Sequence, residues 1–251
     1  MKIALIGYGK MGKTIERIAM ERGHEIALKI DLNSLDLFTQ ENLATCDVAI
    51  EFSNPEAVLG NVKKCLSFQV PMVVGTTAWL NSKSEIQAYV QAHQLSFVWA
   101  SNFSLGANLF FKLNQQLAEL MNEHVHPQQY NVCVEEIHHT QKLDAPSGTA
   151  LTLANDMLQL LNNKSKLNQV GVLRESCLNA TEEFSDAITV SALRMDEVPG
   201  THTIQYNSNE DSICITHIAH NRNGFALGAV IAAEKITQTK GFYEFRELLF
   251  Q

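Results

Sequence analysis

Two histidines and a lysine fall within five residues, at His138, His139 and Lys142, in the run Glu136-Ile137-His138-His139-Thr140-Gln141-Lys142-Leu143-Asp144-Ala145-Pro146-Ser147-Gly148-Thr149-Ala150. Imidazole and ammonium groups move protons and bind anions. The run leads into an apolar periodic segment, Leu151 to Leu161. That order predicts a strand, a loop and a helix with Ser147 as its N-cap. Gly148 and Thr149 would open the helix, where backbone N–H groups lack intrahelical partners and the dipole favours an anion. With Lys142 and one histidine beside them, the arrangement suits a small carboxylate substrate that needs a proton delivered. Adjacent strand residues point to opposite faces, so His138 and His139 should not share one role unless the strand ends between them. The same geometry disfavours a zinc pair, and no metal is expected. His24, His93, His124 and His126 are expected to be ordinary surface or core residues.

These groups need a scaffold, and the start of the chain supplies one. Lys2-Ile3-Ala4-Leu5-Ile6 reads as an apolar strand running into Gly7-Tyr8-Gly9-Lys10-Met11-Gly12, and Met11 to Met20 reads as a helix. In this G-x-G-x-x-G, Gly7 allows the tight turn, Gly9 lets the backbone approach a pyrophosphate, and Gly12 permits close helix–strand packing. A second strand, His24 to Ile30, ends at Asp31, about twenty residues on, where a ribose hydroxyl partner is expected. Lys29 shares a strand face with Asp31 and is expected to neutralise it in part. Use of both NADH and NADPH follows, with a modest preference for NADH.

Strand and helix patterns alternate over the first hundred residues. Strands are read at Asp47 to Phe52, Pro71 to Val74 and Leu95 to Trp99. Helices are read at Pro55 to Cys65, capped by Asn54, and at Asn81 to His93. Such βα repeats predict a Rossmann-type, doubly wound parallel sheet with ligands at the carboxyl ends of its strands. Ser53-Asn54-Pro55, Gly75-Thr76-Thr77 and Ala100-Ser101-Asn102-Phe103 all fall at those ends. After Asn102 the pattern changes to a helix at Asn108 to Glu123, a strand at Gln129 to His138 and the Ser147 helix. Strands near Ala187 to Arg194, His202 to Tyr206 and Ser212 to Ala219 follow. Residues 164–186 are polar and are read as a mobile excursion. Runs of antiparallel strands beside segregated helices predict an α+β substrate-binding and oligomerisation domain at 106–219. The dinucleotide-binding domain would be 1–105, completed by an apolar helical tail at 220–251.

Composition narrows the class. The 251 residues are 45% hydrophobic with a formal net charge of −8, which disfavours nucleic acid as a partner. No apolar run is long enough for a membrane helix. The N-terminus enters the glycine loop at once, so no signal peptide is expected. Five scattered cysteines without C-x-x-C fit reduced thiols in the cytoplasm.

The segment Glu136 to Ala150 resembles E-x-H-H-x-x-K-x-D-A-P-S-G-T-A, the signature of the 4-hydroxy-tetrahydrodipicolinate reductase (dihydrodipicolinate reductase) family. The glycine loop, Gly75-Thr76-Thr77, Asn102 to Asn108, Gly200-Thr201-His202 and Thr216-His217 are similar to the family as well. The resemblance implies that NADH or NADPH reduces a small cyclic dicarboxylate in the cytoplasm, in lysine biosynthesis through diaminopimelate, and that the enzyme is a homotetramer. It implies His138 and Lys142 as catalytic residues and His139, Gly148 and Thr149 as substrate ligands, to which the N-cap reading adds Ser147. It implies Gly7 to Gly12, Gly75-Thr76-Thr77 and Ala100 to Phe103 as cofactor ligands, to which the spacing after the glycine loop adds Asp31. Three places depart from the pattern: Ala78-Trp79 follow Gly-Thr-Thr, Arg194-Met195-Asp196 replaces Arg-x-Gly, and Asp31 is followed by Leu32 and Asn33 where some members carry a basic residue. The other readings are a different two-domain NAD(P)-dependent dehydrogenase of a small carboxylate, or a non-catalytic dinucleotide sensor.

Overall fold

Burial along Lys2–Ile6 (β1) does not alternate: Ile3, Ala4, Leu5 and Ile6 are all covered. Side chains of a strand point to opposite faces in turn, so a run buried throughout marks a sheet covered on both sides. The computed structural model describes residues 1–124, 130–172, 176, 178, 186–195 and 197–251. After β1 come α1 (Lys10–Glu21), β2 (Glu25–Ile30), α2 (Gln40–Leu43), β3 (Val48–Glu51), α3 (Val58–Ser67), β4 (Met72–Val74), α4 (Lys83–Ala92) and β5 (Ser96–Trp99). They are followed by α5 (Leu105–His124), β6 (Asn131–His138), α6 (Gly148–Leu160), β7 (Lys166–Val172), β8 (Ala187–Arg194), β9 (Thr201–Asn207) and β10 (Ser212–Ile218). The last elements are α7 (Asn223–Ile236), β11 (Gly241–Glu244) and α8 (Phe245–Leu249). The chain divides into two units, Met1–Leu105 with Arg222–Gln251, and Gly106–Asn221.

The first unit is a six-stranded sheet in the order β11-β5-β4-β3-β1-β2, with every pairing parallel. Ala4 and Ile6 pack with Val58, Val62 and Leu66 of α3 and Ile86 and Val90 of α4. Ile3 and Leu5 pack with Ile15, Ile18 and Ala19 of α1, Ala229 and Val230 of α7 and Phe245 of α8. Each fully covered Ile or Leu contributes about 1.5–3 kcal/mol of burial. Because β1 lies between β2 and β3, the winding reverses there, and a cleft opens beyond the strand ends. The tail is not wholly helical, as the sequence reading had it: Gly241–Glu244 pairs in parallel with β5, and Phe242 stacks on Phe97 at 5.1 Å. Four residues are too few to show a strand period, so only the pairing reveals β11.

The second unit is a five-stranded sheet in the order β10-β9-β6-β8-β7. It is mixed rather than antiparallel: β6 pairs antiparallel with β9 but parallel with β8, and β8 pairs parallel with β7. Periodicity marks a strand without giving its direction of pairing, which is why the antiparallel expectation fails in part. Residues 164–186 are not an excursion throughout, because Lys166–Val172 forms the edge strand β7. Residues 173–175, 177 and 179–185 of that stretch lie outside the described residues, as do His126, Gln129 and Asp196. One face of the sheet, with Val132, Val134, Ile188, Val190 and Ile204, packs on Phe110 and Phe111 of α5 and Leu153 and Met157 of α6.

Smaller differences have local causes. Helix α3 starts at Val58 rather than Pro55, because Asn54 closes a turn first, its Oδ1 accepting from Ala57 N–H at 2.9 Å. The Ala78-Trp79 departure is a core anchor: Trp79 is buried edge-to-face against Phe97 and Trp99 at 5.4 and 5.8 Å.

Candidate active site

In the first unit, a cavity of about 400 Å³ lies beyond the ends of β1, β2 and β3. Gly7, Tyr8, Gly9, Asp31, Asn33 and Ser53 line it. The glycines fit a dinucleotide. Gly7 has φ +92°, and a Cβ there would lie 2.2 Å from the Phe52 carbonyl oxygen. A Cβ on Gly12 would lie 2.3 Å from the Gly7 carbonyl oxygen, so α1 can approach the end of β1 only without a side chain at Gly12. Gly9 caps α1 without a side-chain hydrogen bond and faces open space, which leaves the helix start available to a phosphate. The Asp31 carboxylate accepts from Asn33 N–H at 2.8 Å and contacts Ser34 Oγ at 3.2 Å. Lys29 does not neutralise Asp31: its ammonium is 2.6 Å from Glu16.

The remaining predicted cofactor residues fall at the ends of β4 and β5. Thr76 Oγ1 accepts from Ser53 N–H at 3.1 Å, tying the Gly75-Thr76-Thr77 loop to the end of β3. Beneath it lies fully buried Glu51, which sequence reasoning missed. Glu51 accepts from the Ser53 hydroxyl and, at 3.2 Å, from Asn61 Nδ2. Burial pushes its carboxyl above the ordinary range, and these hydrogen bonds oppose that. Of Ala100 to Phe103, Ser101 is exposed and Phe103 is a core residue packed on Phe52 and Phe245 at 5.8 and 5.0 Å. Any role of Phe103 toward a ligand therefore falls to its backbone.

The second unit gathers the histidines. Strand β6 ends at His138, so His138 and His139 need not obey strand alternation: His138 is buried and His139 exposed. The centre is Glu136, with no exposed surface. Its Oε2 accepts from Ser147 N–H at 3.0 Å, and its Oε1 from Arg194 Nη2 at 3.3 Å. His138 Nδ1 and His202 Nε2 stand 3.6 and 3.7 Å from Oε2. Ser147 Oγ accepts from Ala150 N–H at 3.2 Å as the helix cap and contacts His202 Nε2 at 3.2 Å. One carboxylate on β6 thus ties the start of α6 to the end of β8. Burial would raise the Glu136 pKa, but His202, Ser147 and the His138 charge hold it at about 2. Burial lowers His138 to about 4, with the Glu136 charge opposing and His202, Lys142 and Arg194 adding to the fall. Among the described residues, no hydrogen-bond partner reaches His138 Nδ1.

Lys142 points to Asp144, with Nζ donating to both carboxylate oxygens at 2.7 and 2.9 Å. Arg194 spans this loop, donating to the carbonyls of Lys142 and Asp144 at 3.3 and 2.7 Å. Glu136, His138 and His202 also offer ligand atoms within 4.8 Å of one another, a spacing a metal ion could use. Both Glu136 oxygens are already engaged by Arg194 and Ser147, and the guanidinium supplies the neutralising charge. Sequence reasoning missed the grouping of Glu136, Arg194, His202 and Asp144. Glu136 and Asp144 stand in the motif itself, and Arg194 and His202 in later segments similar to the family, which was the available signal.

Comparison with known proteins covers both units. Residues 1–103 match the family model described as dihydrodipicolinate reductase, N-terminus, and residues 106–249 match its C-terminus counterpart. The chain belongs to the dihydrodipicolinate reductase family. Within that family it is 44% identical to the 4-hydroxy-tetrahydrodipicolinate reductase of Christiangramia forsetii, over 99% of this chain and 98% of that one. It is 34% identical to the enzyme of the same name from Staphylococcus carnosus, over 98% of each. A solved dihydrodipicolinate reductase from Paenisporosarcina sp. TG-14, with dipicolinate bound, shares the fold at TM-score 0.75 and 21% identity, over 97% of each chain.

Proposed function

We propose that this chain reduces 4-hydroxy-tetrahydrodipicolinate to tetrahydrodipicolinate with NADH or NADPH, in lysine biosynthesis through diaminopimelate. The observation that carries the reading is Glu136, which holds the capped start of α6 and Arg194 beside the buried His138, in a chain matched along its length by the reductase family. That match favours the reductase over another dehydrogenase or a dinucleotide sensor. Oxidation of NADH or NADPH, followed with the cyclic dicarboxylate made in situ from pyruvate and aspartate semialdehyde, tests it; no turnover with either cofactor would overturn it.

Loss of the 4-hydroxyl group as water leaves a conjugated C=C–C=N system, and the cofactor when bound would supply hydride to one end of it. Gly7, Tyr8, Gly9, Lys10, Met11 and Gly12 would hold the pyrophosphate at the start of α1, and Asp31 would accept from the ribose hydroxyls. Gly75-Thr76-Thr77 and Ala100 to Phe103 would complete the cofactor site. Gly148, Thr149 and His139 bind substrate carboxylates, with Ser147 holding the helix start in place. Lys142 delivers the proton that follows hydride addition. His138, with a pKa of about 4, is neutral near pH 7, so it orients substrate and exchanges hydrogen bonds rather than carrying the cationic proton.

Three expectations follow from these roles. Replacing His139 should raise KM more than it lowers kcat, since a residue used for binding acts on ground and transition states alike; the reverse pattern would exchange the roles of the two histidines. Asp31 should give NADH a modest advantage, since among the described residues no cation lies in ion-pair reach of it. Asp31→Ala should then shift kcat/KM toward NADPH, and an unchanged ratio would remove Asp31 from cofactor choice. The chain should form a homotetramer through its second unit, where Leu109, Leu113 and Leu120 of α5 are about half exposed along one side. Light scattering should give about four times the 28.0 kDa chain mass, and a monomer at micromolar concentration would refute it. A cytoplasmic location fits the free thiols Cys46, Cys65 and Cys214. No described helix is long and apolar enough to cross a membrane.

A further inference from the structure

At the end of β2 a lysine is turned aside from Asp31. Lys29 lies on β2, two residues before Asp31 at the strand's end, and strand period would direct both side chains to one face. Its ammonium is instead 2.6 Å from the Glu16 carboxylate and 3.2 Å from the Tyr8 hydroxyl, and it lies 4.8 Å over the Tyr8 ring. The Tyr8 hydroxyl donates in turn to Glu16. Tyr8 and Asp31 line the cavity; Glu16 and Lys29 do not. Three groups from the glycine loop, α1 and β2 thus form a closed latch on the rim of the adenosine end.

We propose that Glu16 sets nucleotide selectivity by holding Lys29 against Tyr8, away from the position beside Asp31 where a ribose 2′-phosphate would lie. This rests on the dinucleotide reading of that cavity. Glu16 touches no nucleotide in this account and is a positioning residue acting through Lys29. A phosphate beside Asp31 meets a carboxylate, and the nearby lysine that could offset it is neutralised by another carboxylate. The latch is partly exposed, with 43% of the Lys29 side chain accessible, so it biases selection without forbidding NADPH. Glu16 lies below the ordinary carboxylate range and Lys29 above the ordinary lysine range, each chiefly through their mutual hydrogen bond. Lys13, 6.0 Å from the Tyr8 ring, is the neighbouring cation that the test has to separate from Lys29.

The test is direct binding of NADH and NADPH to the purified full chain, read by nucleotide fluorescence, for wild type, Glu16→Gln, Lys29→Ala and the double variant. Glu16→Gln should tighten NADPH about 2- to 10-fold, the scale of one screened contact to a charged group, with NADH nearly unchanged. The gain should shrink as salt is raised. The double variant should lose the gain, and Lys29→Ala alone should leave both affinities unchanged, because that lysine is already withheld. Glu16→Ala should repeat the Glu16→Gln result, which guards against a local effect of the amide. Three results would overturn the proposal: an unchanged NADPH-to-NADH ratio in both Glu16 variants, a gain that survives loss of Lys29, or weakened NADPH binding in Lys29→Ala alone. A wild type that binds NADH but shows any of these sinks the latch and spares the cofactor reading. A wild type that binds neither nucleotide overturns both.

Discussion

Lys142→Ala is expected to lower kcat by ~10²–10⁴, the usual contribution of a positioned proton donor. Hydride addition leaves electron density at the far end of the conjugated system, and that density has to be quenched by a proton. His138 is a poor source near pH 7, because burial holds its pKa at about 4. Lys142 is the cationic side chain of the motif, and Asp144 orients its ammonium through two short contacts at 2.7 and 2.9 Å. Its loop is fixed independently, since Arg194 holds the Lys142 and Asp144 carbonyls and Lys142 N–H donates to the His139 carbonyl at 3.1 Å. Truncation should therefore remove the proton donor without displacing the loop. Steady-state kinetics on folded protein decide the matter, and a near-normal kcat would take Lys142 out of the mechanism. Asp144→Asn, which keeps the ammonium but weakens its orientation, should cost less.

The largest loss of stability is expected from Glu136→Ala, ~3–5 kcal/mol, because one partner of a buried ion pair disappears. The Arg194 side chain is only 10% exposed and would lose its counter-charge, while Ser147 N–H would lose its acceptor. In a chain of this size that loss corresponds to a fall in Tm of roughly 6–20 °C. Glu136→Gln keeps an acceptor for Ser147 and should cost less. Acid dependence gives a second readout. The folded pKa of Glu136, about 2, is below its unfolded value, so its contribution is complete above the unfolded pKa near 4.5 and is lost as pH falls toward about 2. His138 is likewise lowered, from 6.5 to about 4, so its contribution is lost as pH falls through that window. Wild type should lose stability through both windows, whereas Glu136→Gln should lack the lower one. Denaturant unfolding at several pH values measures this, and a loss below ~1 kcal/mol for Glu136→Ala would show that the carboxylate is not the hub.

Local patterns in the chain were enough to find the glycine loop, the βα alternation and the Ser147 cap, because each depends on neighbours a few residues apart. A glycine next to a strand, a serine before an apolar helical period and a run of buried β-branched residues carry their physics with them. The motif at Glu136 to Ala150 identified the family and marked where proton chemistry would lie. Only the tertiary structure brought Glu136 to Arg194 and Ser147 to His202, across 58 and 55 residues of chain. It alone turned β8 parallel to β6, added β11 to the edge of the first sheet, and seated Trp79 in the core. Lys29 shows the distinction most directly. Strand period put it on the face of Asp31, as the sequence reading expected, but α1 packs so that Glu16 is the nearer carboxylate. Periodicity gives the direction in which a side chain leaves the backbone. Its partner is set by which other segment the core brings within reach, and that depends on how all the buried faces are satisfied together.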